Sequence, residues 1–147
     1  MAIVISVTNQ KGGVGKTTSA INVAYYLAKS GKKTLLLDFD PQGNATSGLG
    51  VDKQSLSGTM TEVILEEKTL QEVILPTEFE NLYVAPSTPE LANGEVKMAG
   101  MDRKFTRLRN AINNGPKFDY VIIDSPPSLS LLTVNGLVAA RYVLLPV

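Results

Sequence analysis

The sequence predicts an α/β fold of three layers, with a mostly parallel sheet and helices on both faces. Three observations carry that expectation. Apolar-rich runs at residues 3–7, 34–37 and 118–123 lead into a glycine loop, into Asp38-Phe39-Asp40-Pro41, and into Asp124. Segments with helical spacing of apolar residues alternate with those runs, which is the pattern of strand–helix–strand units in a parallel sheet. The chain has 147 residues, enough for one domain with its own core.

The first unit is the most informative. Ile3-Val4-Ile5-Ser6-Val7 is a strand that runs into Gln10-Lys11-Gly12-Gly13-Val14-Gly15-Lys16-Thr17-Thr18. After it, Ala20, Ile21, Ala24, Leu27 and Ala28 recur at helical spacing, and Ser30-Gly31 closes the helix. Strand, glycine loop and helix are the setting of a phosphate-binding loop. Its glycines let successive backbone N–H groups converge on an anion, and the helix start adds a partial positive charge. Gly12, Gly13, Val14, Gly15, Lys16, Thr17 and Thr18 are therefore the candidate phosphate cradle. Lys16 is expected to reach the β- and γ-phosphates, and Thr17 to ligate Mg²⁺ through its hydroxyl. The usual first glycine of such a loop is replaced by Gln10, and Lys11-Gly12-Gly13 follows instead.

The second strand, Thr34-Leu35-Leu36-Leu37, is apolar throughout, as a strand covered on both faces should be. Pro41 stops it, and residues 42–50 read as a Gly/Ser/Asn-rich loop. Asp38 and Asp40 stand at the carboxyl end of this strand, where ligands bind in parallel sheets. Thr59-Met60-Thr61-Glu62 and Thr69-Leu70-Gln71-Glu72 are capping boxes that start short helices. Residues 81–86 form a short strand, and Thr88-Pro89 opens a helix that Gly94 and Gly100 interrupt. Met98, Met101, Phe105, Leu108 and Ile112 make a stripe read as a core face, while Arg103, Lys104, Arg107 and Arg109 read as its solvated side. After the turn Asn114-Gly115-Pro116, Phe118 to Asp124 is a buried strand ending in a carboxylate, the Walker B pattern that holds Mg²⁺ opposite Thr17. A helix is expected over Leu131 to Ala140, with Asn135-Gly136 as its soft spot. Tyr142 to Val147 is read as a further strand, central and buried on both faces.

Composition narrows the function classes. The 14 basic and 14 acidic residues cancel, which lends no support to nucleic-acid binding by the chain as a whole. With no cysteine and no histidine, disulfides, iron–sulfur clusters, zinc sites and a Ser-His-Asp triad are out of reach. No signal-peptide pattern and no apolar stretch of membrane-spanning length is seen, so a cytoplasmic location is the expectation.

Lys11 to Thr18 resembles the deviant Walker A motif K-G-G-x-G-K-[ST]-[ST] of a P-loop NTPase-like fold. Together with Asp38-Phe39-Asp40-Pro41-Gln42-Gly43-Asn44-Ala45-Thr46 and Asp124-Ser125-Pro126-Pro127-Ser128-Leu129, it resembles the ParA/Soj branch of partition ATPases. MinD-type proteins are less similar, and nitrogenase-type reductases need cysteines that this chain does not have. The resemblance implies an ATP- and Mg²⁺-dependent switch that segregates chromosomes or plasmids. It implies an ATP-dependent homodimer, non-specific DNA binding at the nucleoid, and a ParB-type partner that stimulates hydrolysis. Lys11 would reach the nucleotide of the partner subunit, Asp40 would help position the attacking water, and Asp124 would act through Mg²⁺. No glutamate base stands in the motif segments, so slow intrinsic hydrolysis is expected. Residues 1–147 are expected to be one ATPase domain, the N-terminal portion of a longer family domain whose adenine and DNA contacts lie further on. Two other readings stand beside it: a nucleotide-binding fragment without turnover, and a MinD-like membrane-associated regulator.

Overall fold

The computed structural model of the chain describes residues 2–8 and 14–146. Lys11 lies outside the described residues, as do Gly12 and Gly13 of the expected phosphate cradle, the side chain of Val14 and the whole of Val147.

Six strands form one sheet in the order β3-β4-β2-β5-β1-β6. They are β1 (Ile3–Val7), β2 (Thr34–Asp38), β3 (Leu75–Pro76), β4 (Leu82–Ala85), β5 (Tyr120–Asp124) and β6 (Tyr142–Leu144). Every pairing is parallel except that of the two-residue β3 with β4. Alternation along the strands divides the core in two. Leu35, Leu37, Val121 and Ile123 face one side and pack on α3 (Met60–Ile64), α4 (Leu70–Val73), α5 (Glu90–Ala99), α6 (Arg107–Asn113) and α7 (Leu131–Ala139). Leu36 and Ile122 face the other, against Ala20, Ala24 and Ala28 of α1 (Val14–Lys29) and Ala45 of α2 (Asn44–Gly48). Small residues on the inner face of α1 let that helix lie close to the sheet. The three-layer α/β architecture is the one expected from strands apolar on both faces.

Both capping boxes form. Thr59 N–H donates to Glu62 Oε1 at 2.7 Å and Thr69 N–H to Glu72 Oε1 at 2.9 Å, each tying a helix start that would otherwise leave donors unpaired.

Several expectations are corrected. The segment at 142–147, expected as a strand, forms one over 142–144 paired in parallel with β1, and Tyr142, Val143 and Leu144 are exposed in this chain. Residues 42–50 contain the short helix α2 rather than loop alone. The helix after Pro89 is interrupted at Gly100, as expected, but runs unbroken through Gly94; the next helix starts only at Arg107, so the apolar stripe read across both loses register. Met98 and Leu108 are buried, whereas Met101 and Phe105 are 39% and 50% exposed. Arg107, expected on a solvated face, is buried: its guanidinium donates to the carbonyls of Ile64 (3.0 Å) and Asp102 (2.9 Å) and pairs with Glu66. Asn135, read as a soft spot, is a buried tie. Its amide donates to the Lys104 and Leu131 carbonyls at 2.7 and 3.0 Å, and its oxygen accepts from Leu108 N–H at 3.2 Å. Gly136 beside it is needed for contact, since a Cβ there would lie 2.7 Å from Ser125 Oγ.

Candidate functional site

Parallel pairing brings the chemistry to one end of the sheet. Val7 on β1 and Asp38 on β2 are both in register with Asp124 at the end of β5. Three neighbouring strands thus finish level, and α1 starts at the same end. Its first turn carries no acidic side chain that would offset the positive end of the helix.

Lys16, on that first turn, is buried, and its ammonium is held by two carboxylates. Nζ donates to Asp124 Oδ1 and, at 3.4 Å, to Asp40 Oδ2. Thr17 Oγ1 donates to the other Asp124 oxygen at 3.0 Å. Asp40 Oδ1 accepts the Gln42 N–H at 2.9 Å, which fixes the turn after β2. Burial pushes the Asp124 carboxyl up, and the Lys16 charge and the Thr17 hydroxyl oppose that rise. Beside these groups opens a cleft of about 610 Å³, lined among others by Lys16, Thr17, Thr18, Asp40, Asn44 and Pro127. Among the described residues, a Cβ at Gly15 would meet no atom within 4 Å beyond its chain neighbours and its own helix backbone.

Of the sequence-predicted residues, Lys16, Thr17, Asp40 and Asp124 come together around one helix start, and Thr18 lines the same cleft. Val14 begins α1. The donor set fits a phosphate ester with a hard divalent cation: one ammonium, the N-terminal end of a helix, the Thr17 hydroxyl and the carboxylates of Asp40 and Asp124. No cluster of three or more acidic, His or Cys ligands exists among the described residues. A cation here would take its remaining ligands from water and phosphate, as Mg²⁺ does.

A second set of polar residues was legible in the sequence only in part, through Asp38 and not through the contacts it makes. Asp38, Thr46 and Ser87 are fully buried. Asp38 Oδ2 accepts from Thr46 N–H at 2.9 Å and Thr46 Oγ1 at 2.6 Å, and its Oδ1 accepts from Asp40 N–H at 3.2 Å. Thr46 Oγ1 accepts from Ser87 N–H at 3.0 Å, and Ser87 Oγ donates to the Asp40 carbonyl at 2.8 Å. Burial pushes the Asp38 carboxyl up to about 6 against the bonds from Thr46. Thr46 read as one more loop residue, and Ser87 carried no signal, because its partners are 41 and 47 positions away.

Comparison with known proteins agrees with this geometry. A family model described as an AAA domain, AAA_31, matches residues 2–147. The chromosome partitioning protein ParA of Myxococcus xanthus is 50% identical over 144 residues, covering 97% of this chain and 51% of that protein. The sporulation initiation inhibitor protein Soj of Bacillus subtilis is 44% identical over 148 residues, covering 100% of this chain and 58% of that protein. Among solved structures, cobyrinic acid a,c-diamide synthase from Mycobacterium smegmatis with bound ADP and magnesium matches with a TM-score of 0.94. It is 37% identical, and the match covers 100% of this chain and 60% of that one. The chain spans about half the length of the curated relatives it matches.

Proposed function

This chain belongs to the AAA_31 family of AAA domains and is similar to ParA/Soj chromosome-partitioning proteins, and from that premise we propose that it binds and slowly hydrolyses Mg·ATP as a dimerisation switch for DNA segregation. One observation carries the reading: Lys16, Thr17, Asp40 and Asp124, drawn from three separate segments, meet at the start of α1.

Each side chain then has a role. Lys16 exchanges its two carboxylate partners for the β- and γ-phosphate oxygens, aided by the positive end of α1. Thr17 and Asp124, already hydrogen-bonded to each other, are the residues that would hold the cation, Thr17 through its hydroxyl and Asp124 through the hydration shell. Bound there, Mg²⁺ supplies charge neutralisation on the phosphates. Asp40, released from Lys16, orients the attacking water. Phosphoryl transfer needs positioning and neutralisation of charge more than a strong base, so the lack of a glutamate in the motif segments fits slow turnover that a partner accelerates. Gly12, Gly13, Val14, Gly15 and Thr18 complete the phosphate cradle, and Lys11 reaches the nucleotide of a second copy, which couples ATP to dimerisation. Residues 1–147 act as one ATPase domain, working in the cytoplasm on non-specific DNA with a ParB-type partner. Among the described residues no helix is long and apolar enough to cross a membrane.

Calorimetric titration with Mg·ATP, followed by turnover with and without DNA and a ParB-type partner, tests the proposal. Saturable binding with low turnover that rises on adding partner and DNA is expected. Failure to bind Mg·ATP would end it.

A further inference from the structure

Asp40 is held at three points. Its N–H is bound by Asp38, its carbonyl by Ser87, and its Oδ1 by the Gln42 N–H, which leaves Oδ2 toward Lys16 and the cleft. Two of the three ties belong to a closed circuit, because Thr46 Oγ1 donates to Asp38 and accepts from Ser87. Neither Thr46 nor Ser87 has surface exposed to the cleft. Gly43 lets the circuit close. Its φ of 67° is left-handed, and a Cβ there would stand 3.0 Å from the Ser87 carbonyl, so the turn presses directly on that segment. Apolar residues would fill the same space with no buried polar groups to satisfy. A fully satisfied polar circuit instead restricts the geometry of what it holds.

We infer that Asp38, Thr46 and Ser87 form a buried ring that positions Asp40 for hydrolysis, and that Thr46 and Ser87 are positioning residues which never touch the nucleotide. The catalytic consequence rests on the hydrolysis proposed above; the restraint on Asp40 does not. Because Thr46 is also the third residue of α2, whose Asn44 and Gly48 line the cleft, the ring sets one wall of the site together with the water-orienting carboxylate.

Thr46→Val replaces the hydroxyl with a methyl, Ser87→Ala removes the tie to the Asp40 carbonyl together with a long contact to the Thr88 carbonyl (3.5 Å), and Thr46→Ser keeps the ring. In the nucleotide-free protein, amide exchange at Asp40 and Gln42 should accelerate about tenfold in Thr46→Val and Ser87→Ala, with β5 amides unchanged and Thr46→Ser close to wild type. In turnover, kcat should fall about 10- to 100-fold while KM for ATP stays within about twofold, and Thr46→Ser should restore the rate. Wild-type exchange at Asp40 and Gln42 in Ser87→Ala would overturn the ring, as would equal acceleration across β5, which marks general loosening. A wild-type protein that binds ATP without hydrolysing it would overturn the proposed activity instead, and the exchange data would still decide the ring.

Discussion

Replacing Asp38 by Asn should change how stability depends on pH, by an amount the structure sets. The buried Asp38 carboxyl has its pKa raised from 3.8 to about 6. The native state therefore keeps a proton on Asp38 at pH values where the unfolded chain has lost it. The contribution of this group is most favourable below pH 4, falls as pH rises between about 4 and 6, and is constant above. At about 1.4 kcal/mol per tenfold in proton affinity, the whole shift is worth about 3 kcal/mol. Roughly 1 kcal/mol of that is already lost at pH 4.5, which leaves about 2 kcal/mol between pH 4.5 and 7.5. Asn does not titrate and is nearly isosteric, but its amide faces the Asp40 N–H in place of an acceptor, a pH-independent cost of about 1 kcal/mol. Urea unfolding at the two pH values, for wild type and Asp38→Asn, removes every titration not coupled to Asp38, the weak coupling to Asp124 being the one that stays. The stability gap should move by about 2 kcal/mol in favour of the variant as pH rises. A gap that is the same at both pH values would refute the reasoning and mean that Asp38 titrates normally in the fold.

Lys16→Ala should abolish ATP binding by calorimetry and also destabilise the nucleotide-free protein by about 3 kcal/mol, because Asp124 and Asp40 lose the cation that pairs them in the interior. Asp40→Ala should bind ATP nearly as wild type while hydrolysing it more slowly, about 100-fold, in a phosphate-release assay; a loss of binding in proportion would move Asp40 to a purely structural role. Lys11→Ala should leave ATP binding by the monomer intact and reduce the dimer fraction seen by ultracentrifugation with a non-hydrolysable analogue, whereas an unchanged dimer would leave Lys11 a solvated loop charge.

The sequence alone was enough for the fold class and for the four residues that the structure brings together at the start of α1. Strands apolar on both faces, interleaved with helical segments, leave little but a covered parallel sheet. Lys16, Thr17, Asp40 and Asp124 announce themselves because each sits in a short motif where local spacing encodes the chemistry. Even the capping boxes at Thr59 and Thr69 are legible, since each joins residues three apart. What tertiary structure decided is everything whose partner is distant in the chain. Arg107 carries a charge that local reasoning sends to solvent, and only the Ile64 carbonyl and the Asp102 and Glu66 groups around it make burial tolerable. Asn135 becomes a tie because Lys104 and Leu108 are folded against it. The ring around Asp40 is the clearest case. A hydroxyl is a donor and acceptor with no preferred address, so Thr46 and Ser87 acquire their roles only when β2, α2 and the segment after β4 are brought side by side.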